Sequence, residues 1–289
     1  MNGIGIIVVT WNSRATIEHC LASIPTALAS GEAVSVVVVD NNSNDGTREW
    51  LSGQSQLTKV ILNDENFGFA RACNKGAKAL KECEYLIFLN PDTVLHAHAL
   101  DELITFFKEQ PFAGILGPKI VNADGSLQPS VRTFPSVTSM VLNLLKIEYF
   151  FPRLLSLRRY MMTSFSYATL REVDQVMGAC FAVRRSVFET LGGFDEKFFI
   201  WFEEVDFCRR AMSEGWLIFF VPWAVITHER AASFKQKNQL WRQWFFSKSA
   251  RRYFRKHHSF LSALVVAVAS YIVLIPAAVL SVFSSRFRP

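Results

Sequence analysis

Two acidic residues of this sequence stand directly after apolar segments of strand character. Asp92 lies just beyond the apolar run 85–89, and Asp40 follows the β-branched run 34–39. Runs of this kind, bounded by turn residues, are typical of strands buried on both faces of a parallel sheet. Ligands of such sheets bind outside the carboxyl ends of the strands, so Asp92 can hold a divalent cation and Asp40 can accept hydrogen bonds from a base or a ribose. Each position also fits a turn-forming aspartate.

Three further acids, Glu203, Glu204 and Asp206, fall within four positions behind the aromatic stretch 198–202. Acids packed together beside aromatic rings are unfavourable unless a cation or a proton relieves the repulsion. A carboxylate in such surroundings can act as a general base with a raised pKa. In a helix that begins near Glu203, Glu203 and Asp206 share one face and Glu204 turns towards another. Acids in the first turn of a helix also simply complement its dipole, and this alternative stays open.

A histidine, His228, follows the short apolar segments 216–221 and 224–226, which both have strand character. Imidazole is a common ligand of metal ions, so His228 can complete a metal site together with Asp92. A histidine at the polar edge of a sheet can equally be structural. The residues alone leave both interpretations open.

The chain alternates between strand and helix patterns over residues 4–89, which predicts an α/β fold with a doubly wound, mostly parallel sheet flanked by helices. The predicted elements are, in order, strand Ile4–Thr10, helix Thr16–Ala29, strand Val34–Val39, a helix beginning near Thr47, strand Lys59–Leu62, helix Phe69–Lys81 and strand Tyr85–Leu89. Later strand candidates are Gly114–Val121 and Val173–Arg184. The sequence lacks G-x-G-x-x-G after the first strand and G-x-x-x-x-G-K-[ST] throughout, which disfavours NAD enzymes and P-loop ATPases.

The composition predicts a cytoplasmic domain with an anionic partner. The chain has 289 residues, of which 50% are hydrophobic, and its formal net charge is +6. A length and hydrophobic content of this order support one large core with an appendage, and the positive charge favours anionic ligands or surfaces. The five cysteines show no paired metal spacing, which indicates reduced thiols.

The end of the sequence predicts association with a membrane rather than with nucleic acid. The segment Ser259–Ser285 carries no charge and is long enough for a helical hydrophobic tail that crosses a bilayer. A basic cluster precedes it, which predicts that the catalytic part lies at the cytoplasmic face of the cell membrane; the cluster includes Arg251, Arg252, Arg255 and Lys256. A helix packed on the domain or in an oligomer interface is the alternative.

The segment Thr138–Tyr167 is apolar and basic but poor in acids. Such a segment can lie in a membrane interface or form a lid over an apolar substrate. A helical excursion packed on the main domain explains its composition equally well.

Seven short motifs, taken in order, resemble the inverting glycosyltransferase family 2 and especially its rhamnosyltransferase-like members. They are VVTWNS (8–13), VVDNNSNDGT (38–47), NFGFARACNKG (66–76), FLNPDT (88–93), MGACFAVRR (177–185), GGFDEKFFIWFEEVDFCRR (192–210) and TH (227–228). Seven ordered motifs are far more specific than any one of them. The resemblance implies a GT-A catalytic domain at 1–235, with a nucleotide-sugar-binding half at 1–113 and an acceptor half at 114–235. A basic-aromatic linker and a membrane-associated helix are predicted at 236–289.

The resemblance also implies roles for individual residues. Glu204 matches the carboxylate that deprotonates the acceptor hydroxyl, and Glu203 is its substitute. Asp92 matches the last acid of the family's D-x-D motif, and His228 matches the position that often completes the metal shell, so the two are implied to bind Mg²⁺ or Mn²⁺. The residues implied to bind the nucleotide sugar are Thr10, Asn12, Asp40, Asn42, Gly68, Arg71, Asn74, Asn90 and Asp92.

Two motifs depart from the family pattern. Asn90 and Pro91 occupy the first positions of D-x-D, which leaves one acid for the metal, and Glu204 stands where the family usually has aspartate. The implied activity is metal-dependent, inverting transfer of a sugar, by overall similarity rhamnose, from a nucleotide-diphosphate donor. The implied acceptor is a polyprenyl-linked or cell-surface glycan, and a homo-oligomer is compatible with this activity. The reduced D-x-D also fits a catalytically silent, membrane-anchored module that binds nucleotide sugars or glycans, and a basic membrane-surface scaffold is a third reading.

Overall fold

Four parallel strands form the first half of the central sheet in a computed structural model, which describes residues 3–229 and 238–286, with side chains as far as residue 274. The elements of this half are β1 (Ile4–Thr10), α1 (Arg14–Ala27), β2 (Val34–Asp40), α2 (Thr47–Ser52), β3 (Lys59–Leu62), α3 (Phe69–Lys78) and β4 (Tyr85–Leu89). The strands lie in the order β3-β2-β1-β4, and all three pairs are parallel. The predicted alternation of strands and helices is therefore confirmed.

The second half extends the same sheet and adds helices at its end. Its elements are β5 (Thr93–Leu95), α4 (Ala99–Glu109), β6 (Ala113–Val121), β7 (Leu127–Gln128), β8 (Val131–Arg132), α5 (Val137–Leu144), a 3-10 turn (Ile147–Tyr149), α6 (Leu155–Met161), β9 (Arg171–Glu172), β10 (Gln175–Val176), β11 (Cys180–Arg184), α7 (Arg185–Thr190), α8 (Glu203–Ser213), β12 (Leu217–His228), α9 (Gln239–His257) and α10 (Phe260–Arg286). The main sheet order is β3-β2-β1-β4-β11-β6-β12-β5. The two short strands predicted at 216–226 are one strand, β12, whose pairing with β6 is interrupted between Val221 and Val225.

β11 runs antiparallel between β4 and β6, in an otherwise largely parallel path. Cys180 at the start of β11 pairs with Leu89 at the end of β4. The residues just before β11 therefore lie at the edge where β1, β2 and β4 end. The strand predicted at Val173–Arg184 is divided, because β10 pairs with β8 in a separate two-stranded sheet.

Helices cover both faces of the sheet. In β1, Ile6 and Val8 belong to the core layer beneath α1 and α4, whereas Ile7 and Val9 pack with α3, α7 and α8. Successive side chains of a strand point to opposite faces, so a strand between two helical layers needs apolar residues at every position. This requirement explains the unbroken β-branched runs in the sequence.

A buried carboxylate on α8 anchors α9 to the main domain. The Asp206 side chain is fully buried and lies 2.7 Å from both Lys256 Nζ and His257 Nε2. Arg210, one turn along α8, donates to the same carboxylate at 2.8 Å. Burial alone would raise the pKa of Asp206, but hydrogen bonds from His257 and Lys256 and the charge of Arg210 lower that pKa to about 2.

The C-terminal helices pack back on the domain. α10 lies against α9 and α5, where Val266 and Ala269 are buried beside Met140. Arg252 of the predicted basic cluster pairs with Asp195 at 2.5 Å, so this arginine is bound to the domain, as Lys256 is. The alternative of a helix packed on the domain thus describes α10 as far as its side chains are described.

Among the residues that the structure describes, no helix is both long and apolar enough to span a bilayer. The predicted domain boundary at 235 and the start of the predicted linker at 236 lie outside the described residues.

Substitution of Asp206 by asparagine is expected to lower the free energy of unfolding by about 3 kcal/mol, because the partly buried Arg210 and His257 lose the buried carboxylate that they share. The folded-state pKa is depressed, so this stabilisation is complete above the unfolded-state pKa and is lost as the pH falls from about 4 towards 2. Urea denaturation of the full chain across this pH range measures both effects. Asp64→Asn, at an exposed position, should change stability by less than about 0.5 kcal/mol. Equal stability of the two variants at neutral pH would contradict the anchoring role of Asp206.

Candidate active site

Two adjacent glutamates begin α8, and both are held away from water. Glu203 is 5% exposed, Glu204 is half-buried, and Oε2 of each is buried without a hydrogen-bond partner among the described residues. Burial raises the pKa of Glu204 to about 7. Burial, together with the charge of Glu204, raises the pKa of Glu203 well above its usual value. Glu203 is therefore shifted towards its neutral form, whereas Glu204, with a pKa of about 7, is the glutamate that can accept a proton near neutral pH.

A strained turn positions these two acids. Trp201 and Phe202, which precede α8, have positive φ angles of 62° and 70°. Aromatic residues rarely adopt this conformation, which costs about 1–3 kcal/mol per residue and persists only where packing imposes it. α9 supplies that packing: the Phe202 ring lies 5.5 Å from the rings of both Phe246 and Tyr253, and the Trp201 ring lies 6.0 Å from Phe246. The C-terminal part of the chain thus orients the first turn of α8.

A small cavity of about 130 Å³ borders Glu204. Its wall combines the aromatic rings of the strained turn with polar side chains from the second half of the chain, including Arg132, Tyr160 and Gln175. A Cβ atom at Gly178 would stand 3.8 Å from Glu204, so this glycine lies directly against the carboxylate side chain. The arrangement places a base beside a space that a sugar hydroxyl can enter.

Asp92 and His228 meet because β5 pairs with β12. The register of this antiparallel pair sets Thr93 opposite His228, and Asp92 is the residue just before β5. The two side chains are nearly buried, and His228 Nε2 lies 3.3 Å from Asp92 Oδ1. The structure therefore brings together the two residues that were predicted to share a metal ion.

The hydrogen bonds of Gln128 assign the tautomer of His228. Gln128 Nε2 donates to Asn122 Oδ1 at 2.8 Å, so Gln128 Oε1 faces His228 Nδ1, also at 2.8 Å. His228 Nδ1 must then carry the proton, and in a neutral imidazole the Nε2 lone pair faces the Asp92 carboxylate. Two acceptors so close require a proton or a cation between them.

This donor set fits a divalent cation. A carboxylate oxygen and an imidazole nitrogen are ligands of Mn²⁺ and Mg²⁺, which fill their remaining positions with water and phosphate oxygens. Within the described part of the chain, no group of three or more His, Cys, Asp or Glu side chains could hold a metal ion. Asp92 and His228 would supply two ligands to such an ion.

Thr10 and Asp40 lie side by side at the ends of β1 and β2, where the strand register pairs them directly. Thr10 Oγ1 is buried and has no hydrogen-bond partner among the described residues. Asp40 is fully buried and accepts hydrogen bonds from the backbone N–H and the hydroxyl of Ser43, while Arg48 Nε lies 3.7 Å away. Asp40 thus closes its own loop, as the turn alternative stated, and its contact with a nucleotide stays a prediction.

Asn12 and Asn42 shape the neighbouring loops at the same edge. Both have positive φ angles, 50° and 65°. Asn12 Oδ1 accepts from the Asn44 N–H at 2.8 Å, and Asn42 Oδ1 accepts from Arg48 at 2.7 Å. These loops form a polar rim next to Thr10 and Asp40.

Gly68 sits where two chain segments touch. Its φ is +85°, and a Cβ atom there would come within 2.4 Å of Phe199 O, so any side chain would displace the backbone. The next residue, Phe69, donates its N–H to the same carbonyl at 2.8 Å. The start of α3 is therefore fixed to the aromatic stretch that leads into α8.

Arg71 and Asn74 face the same loop from α3. Arg71 is half-exposed, stacks 4.1 Å from the Phe67 ring and lies 4.0 Å from Glu196. The Asn74 amide donates to Phe194 O and accepts from Phe194 N–H, both at 2.9 Å. Asn74 therefore holds the loop before α8, Arg71 remains accessible, and their predicted donor contacts stay predictions.

Asn90 links the metal-side pair to the glutamates. Its backbone N–H donates to Ala179 O at 2.9 Å, and Gly178, the preceding residue, packs against Glu204. Asp92 is only two residues beyond Asn90. The base and the Asp92–His228 pair thus lie along one edge of the sheet.

Four residues that contribute to this site were not predicted from the sequence. Gln128 orients His228, Arg132 and Tyr160 line the cavity, and Phe246 holds the strained turn. Gln128 and Arg132 lie in two-residue strands, which leave no periodic signal. Tyr160 and Phe246 belong to the segments interpreted as membrane-associated, and their aromatic character was consistent with that interpretation.

Comparisons with known proteins identify the family of the chain. Residues 2–247 match the family described as "Glycosyltransferase like family 2". The chain is 32% identical over 238 residues to the N-acetylglucosaminyl-diphospho-decaprenol L-rhamnosyltransferase of Mycobacterium tuberculosis, which covers 79% of this chain and 76% of that relative.

Solved structures show the same fold. The mannosyltransferase PcManGT from Pyrobaculum calidifontis, in complex with GDP-Man and Mn²⁺, superposes with a TM-score of 0.56 at 18% identity, covering 100% of this chain and 76% of that one. GalNAc-T7 with UDP, GalNAc and Mn²⁺ gives a TM-score of 0.60 at 17% identity, covering 79% of this chain and 43% of that longer one. The mixed α/β, GT-A-like architecture is thereby shown. The chain belongs to glycosyltransferase family 2 and is a glycosyltransferase that resembles the family's rhamnosyltransferases.

Proposed function

We propose that this enzyme moves a sugar, rhamnose, from a nucleoside-diphosphate donor to a hydroxyl of a lipid-linked glycan, with inversion at the anomeric carbon. The observation that carries the proposal is Glu204, whose pKa is raised to about 7 and whose carboxylate borders a cavity. The sugar and the acceptor class rest on the 32% identical relative, whose name specifies rhamnose and a diphospho-decaprenol acceptor.

The geometry supports a single displacement. Glu204 takes the proton of the acceptor hydroxyl, whose oxygen attacks the anomeric carbon on the face opposite the leaving group. The bond between that carbon and the diphosphate oxygen breaks, and the electron pair leaves with the nucleoside diphosphate. The raised pKa of Glu203 favours its neutral form, which adds no negative charge near the departing diphosphate and does not compete for the acceptor proton.

Asp92 and His228 would hold Mg²⁺ or Mn²⁺ between the protein and the donor. When bound, such an ion acts as a Lewis acid that offsets the charge of the leaving diphosphate. Gln128 keeps the His228 ring in the tautomer that leaves Nε2 free to bind a cation. The similarity to two Mn²⁺-containing structures supports this assignment at the level of fold.

The nucleotide is proposed to lie across the ends of β1 and β2. Thr10 offers an unpartnered buried hydroxyl there, and Asp40 stands beside it. The polar rim of Asn12 and Asn42 borders the same edge, and Arg71 is an exposed cation at the start of α3. A nucleoside with a diphosphate matches this sequence of polar and cationic groups.

The lipid-linked acceptor is proposed to be met at the cytoplasmic face of the membrane. Exposed apolar side chains support this placement: Phe260 and Leu261 on α10 are 81% and 70% exposed, and Phe150 and Phe151, after the 3-10 turn, are 75% and 61% exposed. α10 packs on α5, which leads into that turn, so both groups belong to neighbouring elements. Groups of exposed aromatic and aliphatic side chains are typical of interaction surfaces.

Substitution of Glu204 by glutamine is expected to reduce kcat by about 10²–10⁴-fold, because it removes the proton acceptor while keeping the shape of the side chain. The donor KM should stay unchanged. Initial rates of transfer by the purified full chain, with the donor and acceptor concentrations varied in turn, measure both quantities.

Glu203→Gln is the matched control for this substitution. A protonated acid and an amide have nearly the same shape and no charge, so this variant should keep activity within about fivefold of wild type. The pH profile of kcat/KM in the wild type should rise through about pH 7 as Glu204 ionises, since the base is active only when deprotonated. Normal turnover in Glu204→Gln together with loss of turnover in Glu203→Gln would reverse the two assignments.

Transfer is expected to require added Mn²⁺ or Mg²⁺ and to fall at least about 100-fold in Asp92→Asn and in His228→Gln, which remove the two ligands. Gln128→Ala should lose about 10–100-fold through misorientation of His228. The measurement is transfer by the full chain from a panel of nucleotide sugars, with and without chelator.

His19→Gln, on the exposed face of α1, serves as the control. Chelator-resistant transfer by both ligand variants would exclude the metal role, and nucleotide binding without any transfer would indicate the silent binding module instead.

Membrane contact is expected to weaken at least about tenfold in the double variant Phe260→Ser/Leu261→Ser, because each buried apolar side chain contributes about 1.5–3 kcal/mol. Flotation of the full chain with vesicles of phosphatidylglycerol and phosphatidylcholine measures this. Phe112→Ser is the matched control, since Phe112 is 72% exposed but lies just before β6 at the opposite end of that strand from the site. Unchanged flotation of the double variant would remove α10 from the membrane contact.

A further inference from the structure

A second and larger cavity, of about 650 Å³, lies beside the active site and has no part in the mechanism above. It is enclosed by α6, the turn that follows α6, the start of α5 and β9. We refer to it as the arginine cavity, because Arg158, Arg159 and Arg171 line it.

The arginine cavity is electrostatically unbalanced. Its lining contains three arginines and no carboxylate, and none of these arginines forms an ion pair within the described part of the chain. Hydroxyl groups, among them Ser156 and Thr163, complete the polar wall. Guanidinium groups together with hydroxyl donors match phosphate oxygens in number and geometry. The cavity therefore has the chemistry of a phosphate or diphosphate site.

The arginine cavity adjoins the space beside the catalytic base. Tyr160 lines both cavities, and Thr133 of the larger cavity follows Arg132 of the smaller one. A ligand that places a sugar hydroxyl at Glu204 can therefore continue past Tyr160 into the arginine cavity.

Exposed apolar side chains adjoin the arginine cavity. Leu155 lines the cavity and is 64% exposed, and Phe150 and Phe151 lie a few residues before it. Elements that share a lining residue or adjoin in the sequence thus carry, in turn, a carboxylate base, three arginines and exposed apolar side chains. A glycosyl polyprenyl diphosphate has the complementary order of sugar, diphosphate and hydrocarbon.

We propose that the arginine cavity binds the diphosphate of a lipid-linked acceptor and so sets the acceptor sugar against Glu204. The inference rests on the proposed function, since it assigns a subsite to the acceptor of that reaction. It also explains why the segment 146–171 is rich in arginine and yet poor in acids. The donor diphosphate is bound elsewhere, on the Asp92 side of the sheet edge.

Kinetics with two acceptors test this subsite. The acceptors carry the same sugar, one linked to farnesyl diphosphate and the other to an alkyl chain without phosphate. The variants Arg158→Gln/Arg159→Gln and Arg171→Gln should each raise KM for the diphosphate acceptor at least tenfold. The KM for the donor and kcat/KM for the alkyl glycoside should change less than twofold. Arg153→Gln, which removes an exposed charge from the same segment outside the cavity, should behave as wild type. Equal losses on both acceptors, or no loss on the diphosphate acceptor, would overturn the proposal.

Direct binding separates this inference from the proposed function. Calorimetric titration of the full chain with farnesyl diphosphate, at saturating nucleoside diphosphate, should show binding that both variants weaken at least tenfold, even if no sugar transfer is found. Farnesyl diphosphate binding that is unchanged in the variants would overturn the subsite. Inorganic pyrophosphate should bind more weakly, and equal affinity would overturn the lipid-linked ligand in favour of a free phosphate compound. Vesicles of phosphatidylglycerol supply the third arm: arginine-dependent vesicle binding without farnesyl diphosphate binding would reassign the arginines to a lipid headgroup.

Discussion

The exclusion of water from two neighbouring carboxylates at the start of α8 is the constraint on which this enzyme depends. A glutamate in water has a pKa near 4.3 and is a poor base for a sugar hydroxyl. Burial raises the pKa of Glu204 to about 7, where the group is both ionisable at neutral pH and basic enough to take a proton. Burial, together with the charge of Glu204, also raises the pKa of Glu203 and favours its neutral form, so the two adjacent glutamates differ in their tendency to ionise. Nearby Asp206 is also buried, but its cationic partners keep it ionised.

Such a site needs rigid walls, because a mobile wall would admit water and restore ordinary pKa values. α9 supplies much of that rigidity: its aromatic rings hold the strained residues Trp201 and Phe202, and its Lys256 and His257 bind Asp206. The match to the family extends to residue 247, within α9. α9 is thus part of the structure that holds the proposed active site. Its remaining exposed surface is available for other contacts.

Much of the fold could be predicted from the sequence, because β1, β2 and β4 are mostly apolar runs bounded by turn residues. The family motifs implied that Asp92 and His228 lie together. The pairing of β5 with β12 brings their side chains into contact. The contact of Gln128 with His228 could not be predicted, since it depends on a two-residue strand that brings together residues 100 positions apart. Charge alone also could not show that Arg252 and Lys256 bind Asp195 and Asp206, because a sequence records a cation without its partner. Asp40 and Asn74 were predicted to contact the nucleotide. Both side chains form hydrogen bonds with loops of the protein, and these hydrogen bonds are visible only in the three-dimensional structure.

The close approach of Gly68 to Phe199 has a consequence for the construction of chimaeric transferases. The loop before α3 borders the proposed donor side, and the stretch before α8 borders the proposed acceptor side, yet their backbones touch where a methyl group would not fit. The two loops are therefore expected to tolerate exchange only as a pair. Grafting one of them from a relative with another sugar preference would set mismatched backbones against each other, whereas exchange of both together preserves the junction.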